Sequence, residues 1–111
     1  MSKPELLSGT LDLLVLQVLS SGPLHGFAIA ERIHVLSRDV LIVEEGSLYP
    51  SLYRMEEKGW IEAEWGQSIK GRRAKFYTLT REGKRQLAAE RQQWDRVALA
   101  IADVLANAKV P

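Results

Sequence analysis

A mainly α (α+β) fold is predicted by three features of the sequence. Four segments carry apolar residues at helical spacing, one stretch alternates with period two, and the last helical segment is long and striped. The alternating stretch is the most informative. Trp60-Ile-Glu-Ala-Glu-Trp65 puts Ile61, Ala63 and Trp65 on one face and Glu62 and Glu64 on the other. Arg72-Arg-Ala-Lys-Phe-Tyr-Thr-Leu79 sets Ala74, Phe76 and Thr78 against Arg73, Lys75 and Tyr77. Gly66-Gln-Ser-Ile-Lys-Gly71 joins the two runs, and Lys70, Arg72, Arg73 and Lys75 crowd the tip. A β-hairpin of this kind after three helical segments is the wing of a winged helix-turn-helix. A long C-terminal dimerisation helix completes the expected architecture.

The first helix is expected after the N-cap sequence Ser8-Gly9-Thr10, over Leu11-Asp-Leu-Leu-Val-Leu-Gln-Val-Leu19. It is apolar nearly all round, as a central core helix is. Gly22 and Pro23 end it. A second helix is expected from about His25 to Leu36, with Phe27, Ala30, Ile33 and Leu36 as its inward stripe. His25 follows the Gly22-Pro23-Leu24 turn and is read as stabilising that helix start, and His34 as a surface residue. Val40-Leu-Ile-Val43 is short, apolar and β-branched, and reads as a small strand or an extended link.

The third helix is expected to start between Glu45 and Ser47 and to stop at Gly59, a suitable C′ residue. Pro50 then lies in or near its first turn, where a missing N–H matters least. Leu48, Leu52 and Met55 face the core, and the opposite side presents Pro50, Tyr53, Arg54 and Glu57, flanked by Ser47 and Tyr49. Thr80 opens the last helix, in which Gly83 is an early blemish. Leu87, Trp94, Ile101 and Ala108 recur every seven residues, with Val97, Ala98, Val104 and Leu105 between them. From Thr80 to Ala108 this helix is about 43 Å long at ~1.5 Å per residue, longer than the domain beneath it. Its projecting stripe needs another surface, so a homodimer packed along it is expected, with the first helix and the Leu6-Leu7 segment assisting. The division expected is residues 1–79 for the winged domain and 80–111 for the dimerisation helix, joined as one unit.

Bulk properties narrow the classes. A chain of 111 residues makes one domain. With no cysteine, disulfides, thiolate catalysis and cysteine metal sites are excluded. No apolar run reaches the ~18 residues of a bilayer span, and Met1-Ser-Lys-Pro-Glu lacks the apolar core of a secretory signal, so a cytoplasmic location is expected. The net charge of +1 hides an asymmetry. Residues 1–64 sum to −5, whereas residues 65–91 sum to +6. Local rather than total charge governs attraction to phosphate, and the positive segment lies on the hairpin. An arbitrary charge run is usually only a solvated face; its place on a hairpin tip favours binding to nucleic acid.

The order and wording of these segments resemble the PadR family of bacterial transcriptional regulators. The resemblance rests on Gly9-Thr-Leu-Asp-Leu-Leu-Val-Leu16, Gly22-Pro-Leu-His-Gly-Phe-Ala-Ile29, Glu44-Glu-Gly-Ser-Leu-Tyr-Pro-Ser-Leu-Tyr-Arg-Met55, Lys58-Gly-Trp-Ile61 and Gly71-Arg-Arg-Ala-Lys-Phe-Tyr-Thr-Leu-Thr80. It spans roughly residues 7 to 105 and points to the branch with a single C-terminal helix. It implies a dimeric winged-helix repressor, often of a neighbouring operon or a transporter gene. Some relatives respond to phenolic acids or to planar drugs.

In that frame the third helix enters the major groove of double-stranded DNA, with Ser47, Tyr49, Pro50, Tyr53 and Arg54 as candidate contacts. Arg54 suits either guanine or phosphate, and Tyr49 and Tyr53 suit either the groove or packing against neighbouring helices. Glu57 suits cytosine or solvent. Lys70, Arg72, Arg73 and Lys75 of the wing are expected to neutralise phosphates, with an adjacent minor groove within reach of the wing. Thr80 is assigned to capping. The expected dimer interface comprises Leu87, Trp94, Val97, Ala98, Ile101, Val104 and Leu105. Drug-binding relatives hold flat aromatics between paired tryptophans on this helix, which marks Trp94 as a candidate site for a small aromatic effector. The alternative is a Trp94 that only fills the interface. No cofactor is expected. An enzyme is disfavoured, because His25 and His34 are not on one helix face and the Glu44-Glu45 and Glu56-Glu57 pairs lack a nucleophile or phosphate loop. A protein-interaction module is the stronger rival, since fold does not dictate function, and an effector-free DNA-binding protein is the third reading.

Overall fold

The computed structural model describes residues 8–67 and 70–107. Along the chain these form α1 (Ser8–Leu19), β1 (Leu24–His25), α2 (Gly26–Leu36), α3 (Glu45–Glu57), β2 (Ile61–Gln67), β3 (Arg73–Leu79) and α4 (Arg81–Ala106). The strands form one antiparallel sheet in the order β1-β3-β2. Hairpin register runs from Ile61 opposite Leu79 to Gln67 opposite Arg73. This is the winged helix-turn-helix arrangement, helix-rich and with a long final helix.

α1 is the hub of the core. Its Leu11, Val15, Leu16, Val18 and Leu19 are buried with Ile29 and Ile33 of α2, Leu48, Leu52 and Met55 of α3, and Ile61, Tyr77 and Leu79 of the sheet. Within this apolar helix Asp12 is the exception, and α3 explains it. Ser51, fully buried, donates its hydroxyl to Asp12 Oδ1 at 2.5 Å, and Arg54 Nη2 lies 3.4 Å from the same oxygen. A hydrogen bond from a buried hydroxyl to a carboxylate contributes about 1.5–3 kcal/mol, whereas the Arg54 contact is longer and made by a half-exposed guanidinium. The Ser51 bond therefore docks α3, and Arg54 is the more loosely held of the two Asp12 partners.

Local signals set the helix ends. His25 caps α2, its Nδ1 accepting from the Ala28 N–H at 3.2 Å. Gly59 follows α3 with φ +78, the left-handed conformation expected of a C′ glycine. Thr80 caps α4 by accepting from Gly83 N–H at 3.0 Å, and its own hydroxyl donates to Gly59 O at 2.6 Å. Gly83 is no blemish: a Cβ there would collide with the Trp60 carbonyl oxygen, so glycine permits α4 to start against the end of α3.

Of the two readings of Val40–Val43 the link holds and the strand does not; the third strand is Leu24–His25, which pairs with Tyr77 and Phe76. Strand identity at two residues depends on that partner, not on β-branching. Three expectations need correction. Phe27 and Leu36 do not face inward; they are 68% and 66% exposed. At about 100° per residue they lie half a turn apart, so both could not line one face. Gly26, Ile29 and Ile33 are the buried residues of α2. Pro50 lies in the second turn of α3, since the helix already begins at Glu45. The carbonyl it leaves without an N–H donor belongs to exposed Gly46, where water can serve it. Leu87 belongs to the chain's own core and not to a projecting seam. Leu6-Leu7 and Ala108 lie outside the described residues.

The loop between α2 and α3 is held by side chains. Ser37 Oγ accepts from Leu41 N–H at 2.9 Å, and His34 Nδ1 lies 3.0 Å from Leu41 O. These contacts hold Arg38 and Asp39, whose φ values of 56 and 66 are left-handed. His34 is half-exposed, but it does more than line the surface.

Removal of the buried acceptor isolates its contribution. Asp12→Ala is expected to destabilise the fold by about 1–3 kcal/mol, because Ser51 is left unsatisfied, and Asp12→Asn by less. Urea unfolding followed by circular dichroism checks the order.

Candidate nucleic-acid interface

The outward side of α3 presents Ser47, Tyr49, Pro50, Tyr53 and Arg54, all exposed. The inward positions Leu48, Ser51, Leu52 and Met55 fix which side this is. Tyr53 is 65% exposed and is not used in the core. Tyr49 serves both readings in part: its ring and hydroxyl lie over Gly26, where any side chain would clash, yet 45% of it is exposed. Glu57 is exposed.

The wing lies beside this surface. Lys75 Nζ is 3.4 Å from Glu56 Oε1 on α3, and Tyr49, Lys75 and Tyr77 line one cleft of about 210 Å³ with His25 and Phe27. The register explains this contact. Arg73, Lys75, Tyr77 and Leu79 share a sheet face with Gln67, Trp65, Ala63 and Ile61, and that face turns towards the helices at its buried end. The alternation thus separated the two faces correctly, but Tyr77 belongs to the core. Burial raises the Tyr77 pKa above the ordinary tyrosine value, helped by the charges of Glu56 and Tyr49. Its hydroxyl stays protonated at neutral pH.

The cations of the wing differ in their commitments. Lys70 and Arg72 are exposed at the tip. Arg73 stacks over the Trp65 ring at 4.8 Å, and Lys75 is tied to Glu56 and lies 5.8 Å from the Tyr77 ring. The Trp65 platform was not foreseen as part of the site, nor was Asp12. The signal for Asp12 was present: a single charge in an otherwise apolar helix needs a partner. The signal for Trp65 was weaker, a large aromatic near a basic tip.

A second region lies between α1 and α4. Trp94, 46% exposed, borders two clefts. One, of about 320 Å³, is lined by Gly9, Leu13, Glu90 and Val97 among others, and one of about 310 Å³ by Leu14, Arg91 and Asp95. Beyond Trp94, Ile101, Val104 and Leu105 are 52%, 68% and 75% exposed, and Val97 and Ala98 lie between. Leu99 is also exposed, about 120° from Leu87 around the helix, so the uncovered apolar face is broader than a single seam.

Glu90 is the strained member of this region. Its Oε2 is buried and has no hydrogen-bond partner among the described residues. Burial raises its pKa, Asp12 adds to the rise, and Lys58 and a Gln86 hydrogen bond oppose it. A carboxyl with a raised folded-state pKa costs stability once it ionises. The cost is absent below the ordinary glutamate pKa, grows as pH rises, and is full above the raised value. Glu90→Met should therefore raise the melting temperature at neutral pH, with the gain shrinking to nothing as pH falls below the ordinary glutamate range. Thermal melts across a pH series check the sign.

Comparison with known proteins agrees with this geometry. Residues 15–89 match the model of the transcriptional regulator PadR-like family. The chain is similar to a PadR family transcription regulator from Clostridium difficile, with 33% identity and a TM-score of 0.72 over 86% of this chain and 97% of that one. It is also similar to a PadR-like transcriptional regulator from Bacillus cereus, with 29% identity and a TM-score of 0.73 over 87% and 92%. A transcriptional regulator from Clostridium thermocellum superposes with a TM-score of 0.78 at 25% identity, over 86% and 92%. Among the described residues no helix is long and apolar enough to cross a membrane. With most of its winged domain matched, the chain belongs to the PadR-like family of transcriptional regulators.

Proposed function

We propose that this chain is a cytoplasmic homodimeric repressor that binds an inverted-repeat operator in duplex DNA. One observation carries the reading: the outward face of α3 and the basic wing adjoin, joined by the Lys75–Glu56 pair and the Tyr49–Lys75 cleft. α3 enters the major groove, where Ser47, Tyr49, Pro50, Tyr53 and Arg54 meet base edges and nearby phosphates. Lys70, Arg72, Arg73 and Lys75 neutralise flanking phosphates. Arg54 and Lys75, both half-exposed, lie 3.4 Å from their carboxylate partners Asp12 and Glu56, a long separation that leaves both cations able to turn to phosphate.

Residues 1–79 form the DNA-binding part in this reading, and 80–111 the dimerisation helix. Trp94, Val97, Ala98, Ile101, Val104 and Leu105 supply the interface; their exposure on a helix that leaves its own domain supports this. The clefts beside Trp94 are the site for a small aromatic effector.

Selection of bound sequences from random duplexes should enrich an inverted repeat with half-site centres ~34 Å apart or a multiple. No enrichment would instead favour a protein-interaction module. Replacing Arg72 and Arg73 together by alanine should weaken binding to every sequence and reduce the slope of log affinity against log salt by about 2, at ~0.9 per phosphate contact. Gel shifts over a salt series measure it, and an unchanged slope removes the wing from the interface.

A further inference from the structure

Two residues of the wing hold each other in a way that charge neutralisation alone does not require. The register sets Trp65 opposite Lys75 and Gln67 opposite Arg73, so Arg73 is the diagonal neighbour of Trp65 on one sheet face. Its guanidinium lies over the indole at 4.8 Å, and Trp65 is 59% exposed, so burial does not account for the ring. The same face carries Lys75, paired with Glu56 of α3, and the Trp65–Arg73 stack continues that surface towards the tip. The strand beneath the indole is braced from behind. Phe76 lies so close across Gly66 that a Cβ there would stand 3.2 Å from its ring, and the same ring meets His25, the cap of α2, edge-on at 5.5 Å.

A ring and a carboxylate hold a guanidinium differently. A carboxylate takes the N–H edge and offsets the charge. An indole covers one flat face and leaves both the charge and the edge donors for another partner. Among the described residues no carboxylate forms an ion pair with Arg73. We propose that Trp65 is a positioning residue for DNA binding: it holds the Arg73 guanidinium flat, so that the free edge grips one backbone phosphate beside each half-site through two N–H donors. The inference rests on the reading that the wing meets duplex DNA, and it specifies which wing cation fixes the register. Arg73 meets the backbone with part of its side-chain freedom already lost, so less is lost on binding. Lys70 and Arg72, exposed at the tip, neutralise charge without selecting one phosphate. A lysine over the same ring would keep the charge but lack the two-pronged edge.

Duplexes carrying the selected repeat are made with a single uncharged methylphosphonate linkage, moved one position at a time through the flanking backbone, and titrated with the full chain. One linkage beside each half-site should weaken binding more than its neighbours do. Trp65→Leu keeps an apolar side chain and removes the π face. It should weaken binding to the unmodified duplex by about two- to five-fold per wing, leave the salt slope in place and level the linkage profile. Trp65→Tyr should restore most of the affinity and the profile. Arg73→Lys should level the profile without altering the slope. In an Arg73→Ala background Trp65→Leu should cost nothing further, whereas damage to the hairpin would still displace Lys70, Arg72 and Lys75. Undiminished affinity in Trp65→Leu, an equal further loss in the Arg73→Ala background, or an unchanged profile in Arg73→Lys overturns the positioning role and leaves the wing on DNA. If no duplex is selected, or if replacing Arg72 and Arg73 together alters neither affinity nor slope, the wing reading itself falls and the inference with it.

Discussion

The hydrogen bond from buried Ser51 to Asp12 orients α3. A helix docked only by Leu48, Leu52 and Met55 could rotate or slide while still burying apolar surface, because the hydrophobic effect has no direction. A hydroxyl with no access to water cannot tolerate such a shift, since it would lose its acceptor. The polar contact thus selects one rotation among several that are similarly apolar. That rotation turns Tyr53 and the opposite face outward and brings Glu56 beside the wing strand. The alignment of α3 with the wing follows from this docking.

A second close contact works from the other end of α3. Thr80 bonds to the carbonyls of Gly59 and Trp60, and Gly83 lets α4 begin against the same backbone. The wing is therefore clamped at its base between the end of α3 and the start of α4. Movement of α4 can reach the hairpin through this junction, and it can reach α3 through α1, where Glu90 lies within the electrostatic influence of Asp12. Both routes join the proposed effector cleft to the proposed DNA face by direct packing.

The outer half of α4 has the opposite character. In the single chain Ile101, Val104 and Leu105 stand uncovered, and at about 25 cal/mol per Å² such exposure is costly unless another surface meets it. Leu99 widens the face beyond a two-helix seam, which fits a partner contributing more than one element. Leu87 is the α4 residue that joins the chain's own core. The helix thus changes task along its length, and a heptad pattern that continues through both halves does not reveal where.

The sequence by itself determined the order of elements, the hairpin, the caps at His25 and Thr80, the turn at Gly59 and the two sets of faces in the wing. These depend on neighbours a few residues away, through capping bonds, backbone conformation and the period of the side chains. Which α3 residues face outward was legible for the same reason: exposed positions opposite an apolar stripe can be counted off. Tertiary structure alone decided the rest. Leu24–His25 became a strand because Tyr77 and Phe76 lay opposite, Tyr77 turned inward where alternation had left the choice open, and Asp12 met Ser51 across 39 residues of chain. It also decided that Lys75 faces Glu56 and that Glu90 Oε2 is buried with no hydrogen-bond partner among the described residues. Each of these is a contact between distant segments, whose energy exists only once the core has brought them together.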